Sequence, residues 1–370
     1  MSPCLFQQFD PAAIASWLDR LQQTAPDTLL FALLPEAGAD RVGELQALCA
    51  TRQIALLGAI FPALIDGDSF IGEGIALQPL PAAQSHFLLS DLDGNPATAA
   101  ARIAATLPAE DPAGEAPQNL FLVFDSMQPN TSTLLTHLFA QLGHRFRYSG
   151  VCAGSESFQP MPCLFDGERQ LGLGVLGFIL PATQAICVEH GYPVAKSLMR
   201  ATSTQGNRID HIDGKPAMAV YQQVIADDYG IALTHENFYD YAVHYPFGLV
   251  SSLEILVRIP VAFNADGSIF CVGEVPPNSM LRLLRAPTLA ASTCTERLAA
   301  HLGQAAGPLL TFYCAGRRLH FAADAGLELA ELQRKSGATP QFGALSLGEI
   351  ATDNELGIPA FHNAALVCLR

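Results

Sequence analysis

The chain has 370 residues, of which 50% are hydrophobic and 15% charged, and it carries a formal net charge of −15. This composition excludes a disordered chain, and the length exceeds one ordinary core, so two domains are expected. No lysine- or arginine-rich run exists to grip a phosphate backbone, which argues against nucleic acid and anionic membrane surfaces as partners.

In chain order, the first third alternates strand and helix. After an expected lead-in helix over residues 1–27, "TLLFALLPE" (28–36) is a short apolar run, as expected for a strand buried on both faces. Residues Val42, Leu45 and Leu48 have helical spacing, and "IALLGAIFP" (54–62) is the next strand. Asn95 followed by Pro96 marks a helix start, since asparagine caps the first amides and proline fits the first turn. A proline- and acid-rich loop (108–118) leads to the strand "NLFLVFDS" (119–126) and a helix that ends at Gly143. Beyond Gly150 come short strands at 151–153, 171–180, 184–190 and 197–204. A helix is expected from Asp213 to Ile225, then a hairpin turning at Asp266-Gly267. Helical patterns near 288–303 and 325–335 alternate with strands at 308–314 and 342–350. The fold class is α/β passing to α+β: an α/β domain over 28–212 and a mixed domain over 213–370. No internal repeat is evident.

The mean hydropathy, +0.25, raises the question of a membrane. The most apolar stretch, 171–188, is broken by three glycines and Pro181, whereas a spanning helix needs about 20 nearly uninterrupted apolar residues. The opening "MSPCLFQQFD" has neither a basic nor an apolar signal region, so a cytoplasmic protein is expected. The nine cysteines are scattered without a C-x-x-C pair, the pattern of reduced thiols rather than of a disulfide framework or structural zinc.

Residues 150–154, "GVCAG", have the spacing of a nucleophile elbow with cysteine in place of serine. An elbow needs a helix after it, and the following "SESFQPMPCLFDG" contains two prolines. A tight glycine turn, with Gly150 and Gly154 as hinges and Cys152 as buried filler, is the better expectation; a cysteine hydrolase is the rival. The run "LGLGVLG" holds Gly172, Gly174 and Gly177 at G-x-G-x-x-G spacing, but "FILP" rather than a helix follows, so no pyrophosphate site forms. His190 sits at a strand end and His362 at a strand start. Arg317 has a fork suited to a carboxylate, and Glu349 lies in an apolar segment where it needs a partner if buried. An internal Arg317–Glu349 pair and contact with a ligand are equal alternatives.

Taken in order, "LFLVFDS", "GVCAG" with "FDGE", "LGLGVLGFIL", the junction "EHGYPVAKSLMRATSTQGNRIDHIDGKPAMAVY", "YPFGL", "FYCAGR", "GALSLGEIA" and "FHN" resemble the FIST sensory proteins, a FIST domain followed by FIST C. The resemblance spans roughly residues 28–369. It implies a small-ligand sensor that signals to a histidine kinase or a cyclic-dinucleotide enzyme, and it supplies no catalytic residue. Amino acids are one implied ligand class. The other is haem b sensing nitric oxide, with His190 as the axial iron ligand. The sequence departs from the usual pattern at Cys152 and at His190. A ligand pocket is expected between the domains, lined by Gly150, Cys152, Gly154, the 188–194 turn, Arg317, Glu349 and His362.

Overall fold

A computed structural model describes residues 2–80, 85–92, 94–108, 117–193, 197–251, 255–303, 307–352 and 356–370. Most of the 108–118 loop lies outside the described residues. The mixed α/β to α+β character is as expected, with four sheets and flanking helices.

Three of the sheets are built to one plan. In the first unit an edge strand (Cys4–Phe6) leads through helix Pro11–Thr24 to core strand Leu29–Pro35. Helix Val42–Ala50 then leads to a second core strand, Leu56–Phe61, and the unit closes with a hairpin (Leu64–Asp66, Ser69–Ile71) and a return strand, Ile75–Leu80. The second unit repeats this order with edge strand His86–Leu89, helix Pro96–Thr106 and core strand Gln118–Asp125. Helix Thr131–Leu142, core strand Phe146–Ala153, hairpin Leu164–Asp166 with Gln170–Leu171, and return strand Val175–Leu180 follow. The third has edge strand Ile186–Glu189, helix Cys294–Leu302 and core strand Gly307–Cys314. Helices Ala315–Phe321 and Ala325–Ser336, core strand Ala338–Ser346, hairpin Glu349–Ala351 with Ala360–His362, and return strand Leu366–Leu369 complete it. In each unit the two core strands pair parallel and the return strand pairs antiparallel with the first of them.

The hairpins are exchanged. The first unit's hairpin joins the third unit's core strand, the third's joins the second's, and the second's joins the first's, so the exchange closes on itself. Inward faces of all three sheets share one core, in which Phe31, Phe121 and Phe312, one from each unit, meet as ring pairs. The core strands are apolar on both faces because helices cover the outer one. Local signals agree with this: Asn95 Oδ1 accepts from the amides of Ala97 and Thr98 ahead of Pro96, and Asp10 caps the first helix in the same way.

The threefold plan is present in the fold although no internal repeat is evident in the sequence. What recurs is a backbone requirement rather than a string of side chains. Gly58, Gly150 and Gly343 stand at one position in the three second core strands, opposite Ala32, Leu122 and Thr311. A Cβ at any of them would collide with the facing carbonyl oxygen. Gly150 therefore belongs to a strand, not to a tight turn. The turn begins at Gly154, whose φ is +128°.

The third unit is split. Between its edge strand and first helix, the chain forms an eight-stranded antiparallel sheet with helices Ala217–Tyr229 and Phe238–Ala242, a module with its own apolar cluster. Residue 213, where the composition changes, is a turn residue inside this sheet. Asp213 and Gly214 have φ of +50° and +74° and join strands Arg208–Ile212 and Lys215–Pro216, so the expected helix starts at Ala217 instead. The strand expected over 342–350 breaks at Leu347-Gly348, where the chain leaves one sheet for another. None of the nine cysteines forms a disulfide, and all but Cys4 are buried. Among the described residues, no helix is long and apolar enough to cross a membrane, and no group of three His, Cys, Asp or Glu could hold a metal ion.

Candidate functional site

A cavity of about 250 Å³ lies between the inserted module and the three-unit body. The module contributes Tyr239, Ala242, Val243, Ile259, Pro260, Val261 and Val272. The body contributes Glu156, Phe158, Cys314, Ala315, Gly316, Leu319, Leu347 and Asn363. The lining is mostly apolar, and Phe158, Tyr239 and Leu319 are 41%, 62% and 63% exposed, which is unusual for such large side chains grouped together. At the rim, Arg318 holds both carboxylate oxygens of Glu156 at 2.7 Å, so these two charges answer each other.

Among the described lining residues, Asn363 carries a buried polar atom with no protein partner. Asn363 is 1% exposed, and its Nδ2 donates to the His362 carbonyl at 2.9 Å, but its Oδ1 accepts nothing. A buried amide oxygen left unpaired costs about 1–3 kcal/mol. A ligand bringing one hydrogen-bond donor into an apolar pocket would remove that cost. The carboxamide is held in place because its neighbours are anchored: the Ala364 amide donates to Cys314 Sγ at 3.1 Å, and the Ala365 amide to Glu349 Oε2 at 3.3 Å.

The residues singled out from sequence form the layer behind this wall; none of Gly150, Cys152, Gly154, Arg317, Glu349 and His362 lines the cavity. Cys152 is buried, exchanging backbone hydrogen bonds with Leu347 and Gly348, and occupies the place of Ile60 and Leu345 in the other two units. Its thiol pKa is raised well above the usual value, chiefly by burial and then by Glu349, Asp125 and Cys314. The thiol therefore stays protonated, contrary to what a cysteine hydrolase needs. Glu349 is buried and accepts from Ser346 Oγ at 2.5 Å. Burial pushes its pKa up to about 8 despite that bond, the Ala365 amide, Cys314 and the charge of Arg317. At neutral pH the carboxyl is mostly protonated.

Arg317 does not pair with Glu349. Its carboxylate partner is Glu328, at 2.8 Å through Nε and 2.5 Å through Nη2, with Tyr313 Oη donating to the same Glu328 Oε2. Nη1 donates to the carbonyls of His190 and Ala364. With every face of the guanidinium engaged and the side chain fully buried, Arg317 offers no fork to a ligand carboxylate. The sequence carried a sign of Glu328: an acid within the apolar stripe Ala325, Leu329, Leu332 of its helix. Asn363 stands in "FHN" beside His362, and a neutral amide carries no charge or spacing signal of its own.

The residues around His190 do not fit a haem. His190 Nδ1 accepts from the Tyr192 amide at 2.9 Å, and the ring also bonds to the Ile255 backbone, which leaves no lone pair for iron. Burial, then Arg317, lowers its pKa to about 4. His190 does not line the cavity, and a porphyrin is a larger ligand than about 250 Å³ accommodates. His362 is likewise buried and held neutral, its pKa lowered to about 3 by burial and then by His190 and Arg258.

No curated protein matches the chain. Family models do match: the FIST N domain over residues 28–215 and the FIST C domain over residues 217–352. Their junction falls between the strand Lys215–Pro216 and the helix Ala217–Tyr229, inside the inserted module. FIST domains are associated with small-ligand sensing in signal transduction, and with nearly its whole length matched, this chain belongs to the FIST family.

Proposed function

We propose that this chain is a small-ligand sensor whose ligand occupies the cavity between the inserted module and the three-unit body. The observation that carries this is Asn363, a residue of a mostly apolar cavity lining whose buried amide oxygen has no protein partner. The ligand class is a small, neutral, largely apolar molecule with one hydroxyl or N–H donor. Charged groups at the rim are already paired, so a charged ligand gains little there. Haem on His190 and an amino acid held by Arg317 are less well supported, because both side chains are committed to protein partners.

A sensor transmits only if ligand binds one arrangement more tightly than another. Here the two walls belong to separate parts of the structure, so filling the cavity ties the module to the body. That change would be read by a partner protein, for which a histidine kinase or a cyclic-dinucleotide enzyme is the family's implication.

Phenol and toluene test this, since they share a shape and differ by one donor. Calorimetry should show phenol binding at least ~10-fold tighter than toluene, the worth of about one hydrogen bond. Asn363→Leu should erase the difference. Equal binding of the two, or an unchanged preference in Asn363→Leu, contradicts the proposal.

A further inference from the structure

The threefold plan supplies two internal controls for each position, and one position breaks it. Two residues in the first and third units, Leu57 and Phe342, stand immediately before the recurrent glycine and fill the shared core. In the second unit that residue is Ser149, 3% exposed, whose Oγ has no protein partner. The strand across from it differs as well. Ala351 faces Ser149, where Asp166 faces Leu57 and Asp66 faces Phe342. A large apolar side chain and an acid have thus both been removed at one place.

A cavity of about 210 Å³ opens there, between the second unit's core strand and the third unit's edge strand Ile186–Glu189. That is room for about seven waters' share of liquid volume. Among the described residues its lining includes Asn119, Arg147, Ser149, Gln184, His301 and Thr352, and none of these described lining residues is an aspartate or glutamate. In a chain with 35 acids against 20 lysines and arginines, Arg147 brings a cation to this lining.

We infer that this cavity binds a small organic carboxylate, held by the Arg147 guanidinium at the mouth and the Ser149 hydroxyl inside.

Sodium propionate and the neutral propionamide are the probes, titrated calorimetrically into the full chain at fixed ionic strength. Propionate should bind saturably and propionamide at least ~10-fold more weakly, the loss of a charge-assisted contact. Arg147→Gln, at an exposed position, should weaken propionate by a similar factor. Ser149→Leu, which restores the first unit's residue, should abolish binding while leaving phenol binding at the other cavity intact. Should Ser149→Leu fail to fold, Ser149→Ala removes only the donor and should weaken propionate several-fold. No saturable propionate binding in the millimolar range, equal binding of acid and amide, or wild-type affinity in Arg147→Gln would overturn the inference.

Discussion

Arg317 and Glu328 form a two-pronged ion pair with both side chains buried, and that pair fastens the third unit to the segment that enters the inserted module. The arginine reaches the His190 carbonyl at 2.6 Å, just before the chain enters the module, and the Ala364 carbonyl at 2.9 Å, beside Asn363. Removing one partner leaves an uncompensated buried charge. Arg317→Met or Glu328→Gln should therefore destabilise the protein by about 3–5 kcal/mol, with the double variant recovering part of the loss. Urea unfolding of the four-member cycle checks this. Additive losses would show that the two side chains do not act as a pair.

Gly58, Gly150 and Gly343 should each be intolerant of alanine, because the added carbon meets a backbone carbonyl in a paired strand and neither can move alone. Gly150→Ala should cost more than about 3 kcal/mol or prevent folding. Gly167→Ala, where nothing lies within 4 Å of the new carbon, should stay within about 0.5 kcal/mol. Thermal denaturation of the set provides the comparison.

Cys152 should behave as a core side chain. Cys152→Val should cost less than about 1.5 kcal/mol, since equivalent sites hold Ile60 and Leu345. Iodoacetamide at neutral pH should modify it only on the timescale of unfolding. Mass spectrometry of tryptic peptides reads the rate, and rapid labelling at Cys152 would reopen the case for a thiolate.

Glu349 makes stability depend on pH in a definite direction. Its folded pKa of about 8 lies above the usual carboxylate value, so the folded state holds a proton that the unfolded state has lost. Stability from this group is complete below the unfolded pKa and falls as pH rises, until it is lost above about 8. The histidines act oppositely: His190 and His362, lowered to about 4 and 3, cost stability as pH falls below their ordinary range. Glu349→Gln should flatten the decline that runs from the ordinary carboxylate pKa up to about 8 and leave the variant more stable than wild type at pH 9 by on the order of a few kcal/mol. Chemical denaturation from pH 5 to 9 checks it; an unchanged slope would place the proton elsewhere.

Much of the local structure was legible in the sequence. Asn95-Pro96, the helix end at Gly143, the apolar core strands and the Asp266-Gly267 hairpin all follow from short-range rules, and the chain obeys them. The threefold plan was not legible, because exchanged hairpins pair strands far apart in sequence and the inserted module splits the third copy. Nor could spacing tell Gly150 in a strand from Gly150 in a turn: glycine serves close strand approach as well as positive φ. At the site, the titratable Glu349 and Arg317 hold the wall in place from behind, through the Ala365 amide and the Ala364 carbonyl, and His362 lies in the same buried layer. The wall itself is mostly apolar, and the neutral amide of Asn363 leaves no signature of charge or spacing.

The central claim is that one cavity joins the module to the body, and hydrogen–deuterium exchange with phenol bound at saturation tests it most directly. Protection should rise together in Phe238–Ala242 of the module and Ala315–Phe321 of the body, and Asn363→Leu should abolish both changes. Protection confined to one wall, or an equal response in Asn363→Leu, would contradict the account.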